Sequence, residues 1–248
     1  MHTMKLKLLS IFLLLPTMLM ACSKQGDNTQ SATPSTQEPP REPADHSVTI
    51  LLAGDSTCCT WPETSAPKEG WGQNLADVLQ DDAKVVNLAA SGHSTRSFIE
   101  TERWSQLCAQ IKEKDIVCIQ FGHNDKNSSS LDRRIDIPGY KVNLARMVAD
   151  VREKKGVPVL ITSITLRKFA NGSPRVSLSD YTNAMREVAT EEKVQLIDIN
   201  IQMLTWLSKL GEGGSIPYYM SDDTHLTHDG AYAVAEMVAA GLVKLGLW

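Results

Sequence analysis

Four short polar clusters in this sequence hold the residue types from which an acyl-transfer site can be assembled. They are Gly54-Asp55-Ser56-Thr57, Ala90-Ser91-Gly92-His93-Ser94, Gly122-His123-Asn124-Asp125 and Ser221-Asp222-Asp223-Thr224-His225. Acyl transfer needs a nucleophile, a base within hydrogen-bond reach, a group that orients the base, and donors aimed at the developing oxyanion. Ser56 supplies a hydroxyl, and His225 is a base that can take its proton and later return it to the departing alcohol. Asp222, three positions before His225, can fold back in a tight turn to accept the other ring N–H, which fixes the tautomer and stabilises the imidazolium. The Ser56 N–H, the Gly92 N–H and the Asn124 amide are the candidate oxyanion donors. The tandem Asp222-Asp223 leaves the register of the orienting carboxylate open by one position.

Each of these residues has a plainer reading. Gly-Asp-Ser is common turn chemistry at a strand exit, Gly92 can serve a tight turn, and Asn124 can cap a helix. Ser94 is a rival nucleophile because Gly92-His93-Ser94-Thr95 starts like a nucleophile elbow. Arg96, however, stands where that motif wants glycine, which favours Ser94 as a helix cap. His225 and His228 with Asp222 and Asp223 could begin a metal site completed by His123 and Asp125, although His228 just before Asp229-Gly230 also reads as a helix entry. Trp61 and Trp71 could stack on sugar rings, and Trp71, within an apolar run, equally suits the core. Arg96, Arg167 and Lys168 could meet carboxylates, bidentately in the arginine cases, or lie solvated.

Positioning these clusters requires a scaffold that brings distant segments to one rim. Five apolar or β-branched runs of strand length stand out, at 48–53, 84–88, 116–121, 157–162 and 194–199. Helical spacing of apolar residues marks the stretches between them: 71–79, 96–114, 140–151, 180–188 and 201–210. A last helix over 230–245 carries Ala231, Val234, Ala235, Val238 and Leu242 on one stripe. Strands alternating with helices predict a mainly parallel sheet covered on both faces, and near-continuous apolar runs such as VTILLA and VPVLIT agree with burial on both sides. Ligands bind beyond the carboxyl ends of such strands, and the first three polar clusters directly follow the first three runs.

Over 248 residues, 42% are hydrophobic and 22% charged, with a formal charge of -4. The balance suits one globular α/β domain and excludes a general nucleic-acid binder, which needs a broad basic field. At the amino end, Lys5 and Lys7 precede an apolar run from Leu8 that ends in small residues, the build of a signal peptide. Leu19-Met20-Ala21-Cys22 resembles a bacterial lipobox, in which the cysteine is lipidated. Residues 1–21 are therefore expected to be a lipoprotein signal peptide, 22–46 a flexible tether rich in Pro, Ser, Thr and Gln, and 47–248 the folded domain. Ser23 after Cys22 leans toward outer-membrane sorting by resemblance to lipoprotein signals. Cys58, Cys59, Cys108 and Cys118 remain, and an exported chain permits disulfides. Cys118 lies inside a strand run and reads as a buried thiol. Cys58 and Cys59 are adjacent, which disfavours a mutual bridge.

The blocks GDST, SGHSTRSF, IQFGHND and DDTH, in that order and spanning nearly the whole domain, resemble the SGNH/GDSL hydrolase superfamily, with Ser56, Gly92, Asn124 and His225 as the name-giving residues. GDST followed by GWGQ at 70–73, STRSF at 94–98 and the IQFGHND block is similar to the rhamnogalacturonan acetylesterase branch, and the 181–188 and LIDIN stretches add to the likeness. One departure is His93, where relatives often carry Arg. The family pattern Asp-x-x-His selects Asp222 over Asp223. The resemblance implies a three-layer α/β/α sandwich around a mainly parallel five-stranded sheet, flavodoxin-like, with no metal or other cofactor, and removal of acetyl groups from pectic polysaccharide. The expected partners are an acetylated polysaccharide and, through Cys22 alone, a membrane. The chain is expected to be a monomer. Competing readings are an esterase or lipase for another acyl ester, a carbohydrate-binding lipoprotein without turnover, and a metal-dependent phosphoesterase.

Overall fold

The computed structural model describes residues 48–80, 83–126 and 130–248. The segments expected to be a signal peptide and a tether, with the candidate anchor Cys22 and His46, lie outside the described residues. Five parallel strands build the sheet: β1 (Thr49–Gly54), β3 (Lys84–Asn87), β4 (Ile116–Gln120), β5 (Val157–Ile161) and β8 (Gln195–Ile197), in spatial order β3-β1-β4-β5-β8. All five fall within one or two residues of the apolar runs. Period-2 alternation assigns their side chains to two cores. Ile50 and Leu52 of β1 face one side, whereas Leu51 and Ala53 face the other.

The first core is closed by α1 (Trp71–Leu79), α6 (Ile199–Gly214) and α7 (His228–Lys244), through Trp71, Leu75, Met203, Leu207, Val234 and Val238. The second is closed by α2 (Thr95–Glu100), α3 (Arg103–Cys108), α4 (Ile137–Glu153) and α5 (Ser179–Glu191), through Phe98, Trp104, Leu107, Leu144, Met147 and Met185. Each fully buried large apolar side chain contributes about 1.5–3 kcal/mol, so both layers are needed to bury a sheet that is apolar on both faces. The three-layer α/β/α sandwich is therefore the observed architecture.

Two features differ from the periodicity reading. The single helix expected over 96–114 is two short helices, α2 and α3. Thr101 Oγ1 donates back to the Ser97 carbonyl at 2.6 Å, and Glu102 adopts a left-handed conformation with φ 63°, which no helix can continue through. Two small ribbons were also not anticipated. One pairs β6 (Phe169–Ala170) with β7 (Ser173–Pro174), and the other pairs β2 (Lys68–Glu69) antiparallel with β9 (Leu226–Thr227). The second ribbon ties the segment after Ser56 directly to the segment after His225.

From β1 the chain moves outward to β3, then returns across β1 to β4. That reversal opens a crevice at the carboxyl ends of β1 and β4, the usual ligand position in open parallel sheets.

Candidate active site

Ser56 follows β1 in a tight turn built by Asp55. The Asp55 carbonyl accepts from the Cys58 and Cys59 N–H groups at 3.1 and 3.0 Å, and its Oδ1 accepts the Thr57 N–H at 2.9 Å. Below this turn, Thr57 Oγ1 stands 2.8 Å from Asp55 Oδ1 and 3.0 Å from Gln120 Oε1, while Trp71 Nε1 donates to Gln120 Oε1 at 2.9 Å. Trp71 is thus a wholly buried strut under the nucleophile, and its expected contact with substrate is corrected. Trp61, half-buried, lies nearer the surface instead. Its Nε1 donates to the Ser56 carbonyl at 2.9 Å, its ring meets His225 edge-on at 5.7 Å between centroids, and Lys68 Nζ lies 3.7 Å over it.

His225 comes from the loop before β9. Its Nε2 is 3.0 Å from Ser56 Oγ, and its Nδ1 is 2.7 Å from Asp222 Oδ2. The other Asp222 oxygen accepts the Thr224 and His225 backbone N–H groups at 2.9 and 2.8 Å. Partial burial pushes the Asp222 carboxyl up, but the hydrogen bonds from His225 and Thr224 outweigh it and hold the group below the usual carboxylate range. Asp223 has left-handed backbone, φ 56°, and turns away to Arg167 Nη1 at 2.7 Å. The register is therefore Asp222, as the Asp-x-x-His pattern indicated. Arg167 also donates to Ser215 Oγ and accepts no exposed role, with only 15% of its side chain accessible. Its expected contact with substrate is corrected to support of the acid-bearing loop. Arg96 is bonded one turn along its own helix to Glu100 at 2.9 Å.

Gly92 reaches the site in a turn after β3 with φ 79°, a conformation glycine adopts without Cβ strain. Among the described residues, neither the Ser56 N–H nor the Gly92 N–H has a protein acceptor. Asn124 Nδ2 donates to the His93 carbonyl at 3.0 Å, which holds the amide against the Gly92 turn. Ser94 is buried and caps α2, its Oγ accepting the Ser97 N–H at 3.2 Å, so it is a structural residue.

The residues of the metal reading do not converge. His228 Nδ1 pairs with Glu69 at 2.9 Å and Asp223 with Arg167, and no group of three His, Cys, Asp or Glu side chains is placed to hold a metal among the described residues. Asp125 is buried and His123 half-buried beneath the site, with His123 Nε2 and Asp125 Oδ2 buried and lacking partners among the described residues. Burial lowers the His123 pKa and raises that of Asp125 to about 7. The four remaining cysteines are free thiols.

Two residues near the site were not singled out from sequence, Gln120 and Arg133. Gln120 carried a usable signal, being a polar side chain at the end of a strand buried on both faces. Arg133 lies in an irregular segment with no periodic cue.

Comparison with known proteins shows the family. The GDSL-like lipase/acylhydrolase family model matches residues 52–233. The chain belongs to that family. Among curated relatives it is 36% identical over 204 residues to the probable rhamnogalacturonan acetylesterase YesY of Bacillus subtilis (strain 168), covering 80% of this chain and 94% of the relative. It is 32% identical over 216 residues to the rhamnogalacturonan acetylesterase RhgT of the same organism, covering 81% and 91%. Among solved structures, the B. subtilis protein YxiM superimposes with a TM-score of 0.74 at 28% identity, over 81% of this chain and 57% of that longer one. The GDSL fold thus accounts for the α/β/α sandwich.

Proposed function

We propose that this GDSL-family hydrolase is a serine esterase that removes acetyl groups from a polysaccharide, rhamnogalacturonan being the substrate its relatives' activity favours. The observation that carries the mechanism is the continuous relay from Ser56 Oγ through the His225 ring to Asp222. His225 Nε2 accepts the Ser56 proton as Oγ bonds to the acetyl carbonyl carbon, and the negative oxygen is received by the Ser56 and Gly92 N–H groups and the Asn124 amide. Protonated His225 then donates to the sugar oxygen, the ester C–O bond breaks, and the acetyl group remains on Ser56. Water, deprotonated by His225, attacks the acetyl-enzyme; the acetyl–Oγ bond breaks, His225 returns the proton to Ser56 Oγ, and acetate leaves. Each oxyanion donor is worth roughly 3 kcal/mol by the effect of removing comparable donors.

The test uses the purified chain with acetylated rhamnogalacturonan, acetylated xylan and short lipid esters side by side, measuring acetate or acid release. Greatest turnover on the pectic substrate, a covalent adduct of a serine-directed inhibitor on Ser56, and loss of hydrolysis in Ser56→Ala are expected. Full activity in Ser56→Ala would remove the mechanism, and retained sugar binding without any hydrolysis would favour a binding lipoprotein. The chain is also proposed to be an exported outer-membrane lipoprotein, from the apolar run and lipobox-like segment ending at Cys22. Membrane fractionation of the Cys22→Ser form checks it, since an unchanged membrane pool would exclude the anchor.

A further inference from the structure

Two of the arginines that could face a negatively charged substrate are already engaged: Arg167 by Asp223 and Ser215, and Arg96 by Glu100. Arg133 is not. It lies in the segment between β4 and α4, and its guanidinium rests on Gly92. A Cβ built on Gly92 would stand 3.0 Å from Nη1, 3.4 Å from Cζ and 3.8 Å from Nη2. The cation therefore borders the turn whose N–H is one of the proposed oxyanion donors, on the rim where the acyl group must sit.

The charge of Arg133 is weakly committed. Its ion-pair partner is Asp132, 3.9 Å from Nε, with a carboxylate 77% exposed and already bonded by Ser130 Oγ at 2.6 Å. Among the described residues, neither Nη1 nor Nη2 donates to a protein acceptor. His93 has its pKa lowered first by burial and then by Arg103 and Arg133, so the imidazole beside Gly92 resists becoming a competing cation. Packing on Gly92 restrains a guanidinium that keeps its terminal fork open, which is the arrangement that recognises a planar carboxylate bidentately.

We propose that Arg133 forms a carboxylate-binding subsite beside the oxyanion hole, pairing with a uronic acid residue of the polysaccharide that carries the ester. This rests on the esterase reading above and deepens it by naming the residue that selects an acidic chain. Arg133 is a specificity-determining residue in this scheme and takes no part in bond making.

The test compares wild type, Arg133→Gln and Arg133→Lys on three esters: an acetylated uronate-containing oligosaccharide, the same oligosaccharide with its carboxylates methyl-esterified, and 4-nitrophenyl acetate. Losing a charge-assisted contact predicts a KM about ten- to hundredfold higher for the acidic oligosaccharide in Arg133→Gln, carried in KM rather than kcat. The ratio of kcat/KM between the acidic and methyl-esterified oligosaccharides falls by the same factor, and Arg133→Lys recovers part of it. Raising ionic strength should weaken the wild type on the acidic substrate and leave the variant's ratio unmoved. Equal losses on all three esters would make Arg133 a support for the Gly92 turn, and equal indifference would make it a solvated charge; either result overturns the subsite.

Calorimetric titration of the deacetylated acidic oligosaccharide into Ser56→Ala, with and without Arg133→Gln, reads the contact without turnover. Binding through Arg133 by a protein that hydrolyses nothing overturns the esterase reading alone. Hydrolysis of the acidic oligosaccharide that Arg133→Gln does not affect overturns the Arg133 assignment alone.

Discussion

Asp222 and Asp223 carry the same side chain one position apart, and the loop assigns them opposite tasks. Asp222 turns back through three hydrogen bonds, two with His225 and one from the Thr224 N–H, while the left-handed backbone at Asp223 sends its carboxylate to Arg167. Sequence spacing left this choice open because a turn can present either neighbour, and only the backbone conformation decides it. Asp222→Asn keeps the shape but offers an amide where His225 Nδ1–H needs an acceptor, which favours the wrong tautomer. The expected loss in kcat is roughly 10²–10⁴-fold, measured by steady-state hydrolysis of 4-nitrophenyl acetate. Asp223→Asn should act on stability instead, lowering it by no more than about 1 kcal/mol, since this ion pair is partly exposed. A larger kcat loss in Asp223→Asn than in Asp222→Asn would reverse the assignment.

The strands were legible because a sheet covered on both faces needs unbroken apolar runs, and VTILLA and VPVLIT can be little else. The polar clusters after them were legible for the same reason, since strand ends are where a parallel sheet places chemistry. What escaped notice were pieces too short to carry a period: the two-residue ribbon of β2 and β9, and the break at Glu102. A further contact of this kind holds the Ser56 turn against the start of α1. The Gly72 N–H donates to the Cys58 carbonyl at 3.1 Å, and a Cβ at Gly72 would stand 2.5 Å from that carbonyl oxygen and 2.7 Å from Leu52 Cδ1. Both neighbours are packed in the core, so α1 or the turn must move. Gly72→Ala is expected to destabilise the fold by about 1–3 kcal/mol in denaturant titrations. It should also lower kcat/KM more than a stability loss explains, because the turn that shifts carries Ser56. Wild-type kinetics in a folded Gly72→Ala protein would show that the contact does not position the nucleophile.

At the scale of the molecule, Asp125 joins the Gly92 and Asn124 loops, two of the three that carry the proposed oxyanion donors. Its Oδ1 accepts the Thr95 N–H at 3.0 Å and lies 2.6 Å from Thr95 Oγ1, which in turn accepts from Asn143 Nδ2 at 3.1 Å. The sequence presents Asp125 as the end of GHND and as a conceivable metal ligand; nothing in that string reveals a buried carboxyl whose Oδ2 has no partner among the described residues. Burial raises its pKa from 3.8 to about 7, against the lowering effect of Thr95. In the unfolded chain the group ionises near its ordinary value of about 3.9. Between about pH 4 and pH 7 the folded state therefore holds a proton that the unfolded state has released, and raising the pH across that window favours unfolding. Asp222 acts in the opposite sense and elsewhere. Its lowered pKa adds stability that is present above about pH 4 and lost as pH falls through the folded value. The two are separable by Asp125→Asn, which copies the shape of the protonated acid and cannot ionise. Denaturant titrations from pH 4 to pH 7 should show the wild type losing stability relative to Asp125→Asn as pH rises. If the difference between the two proteins stayed constant across that range, Asp125 would not be the buried acid that links folding to pH.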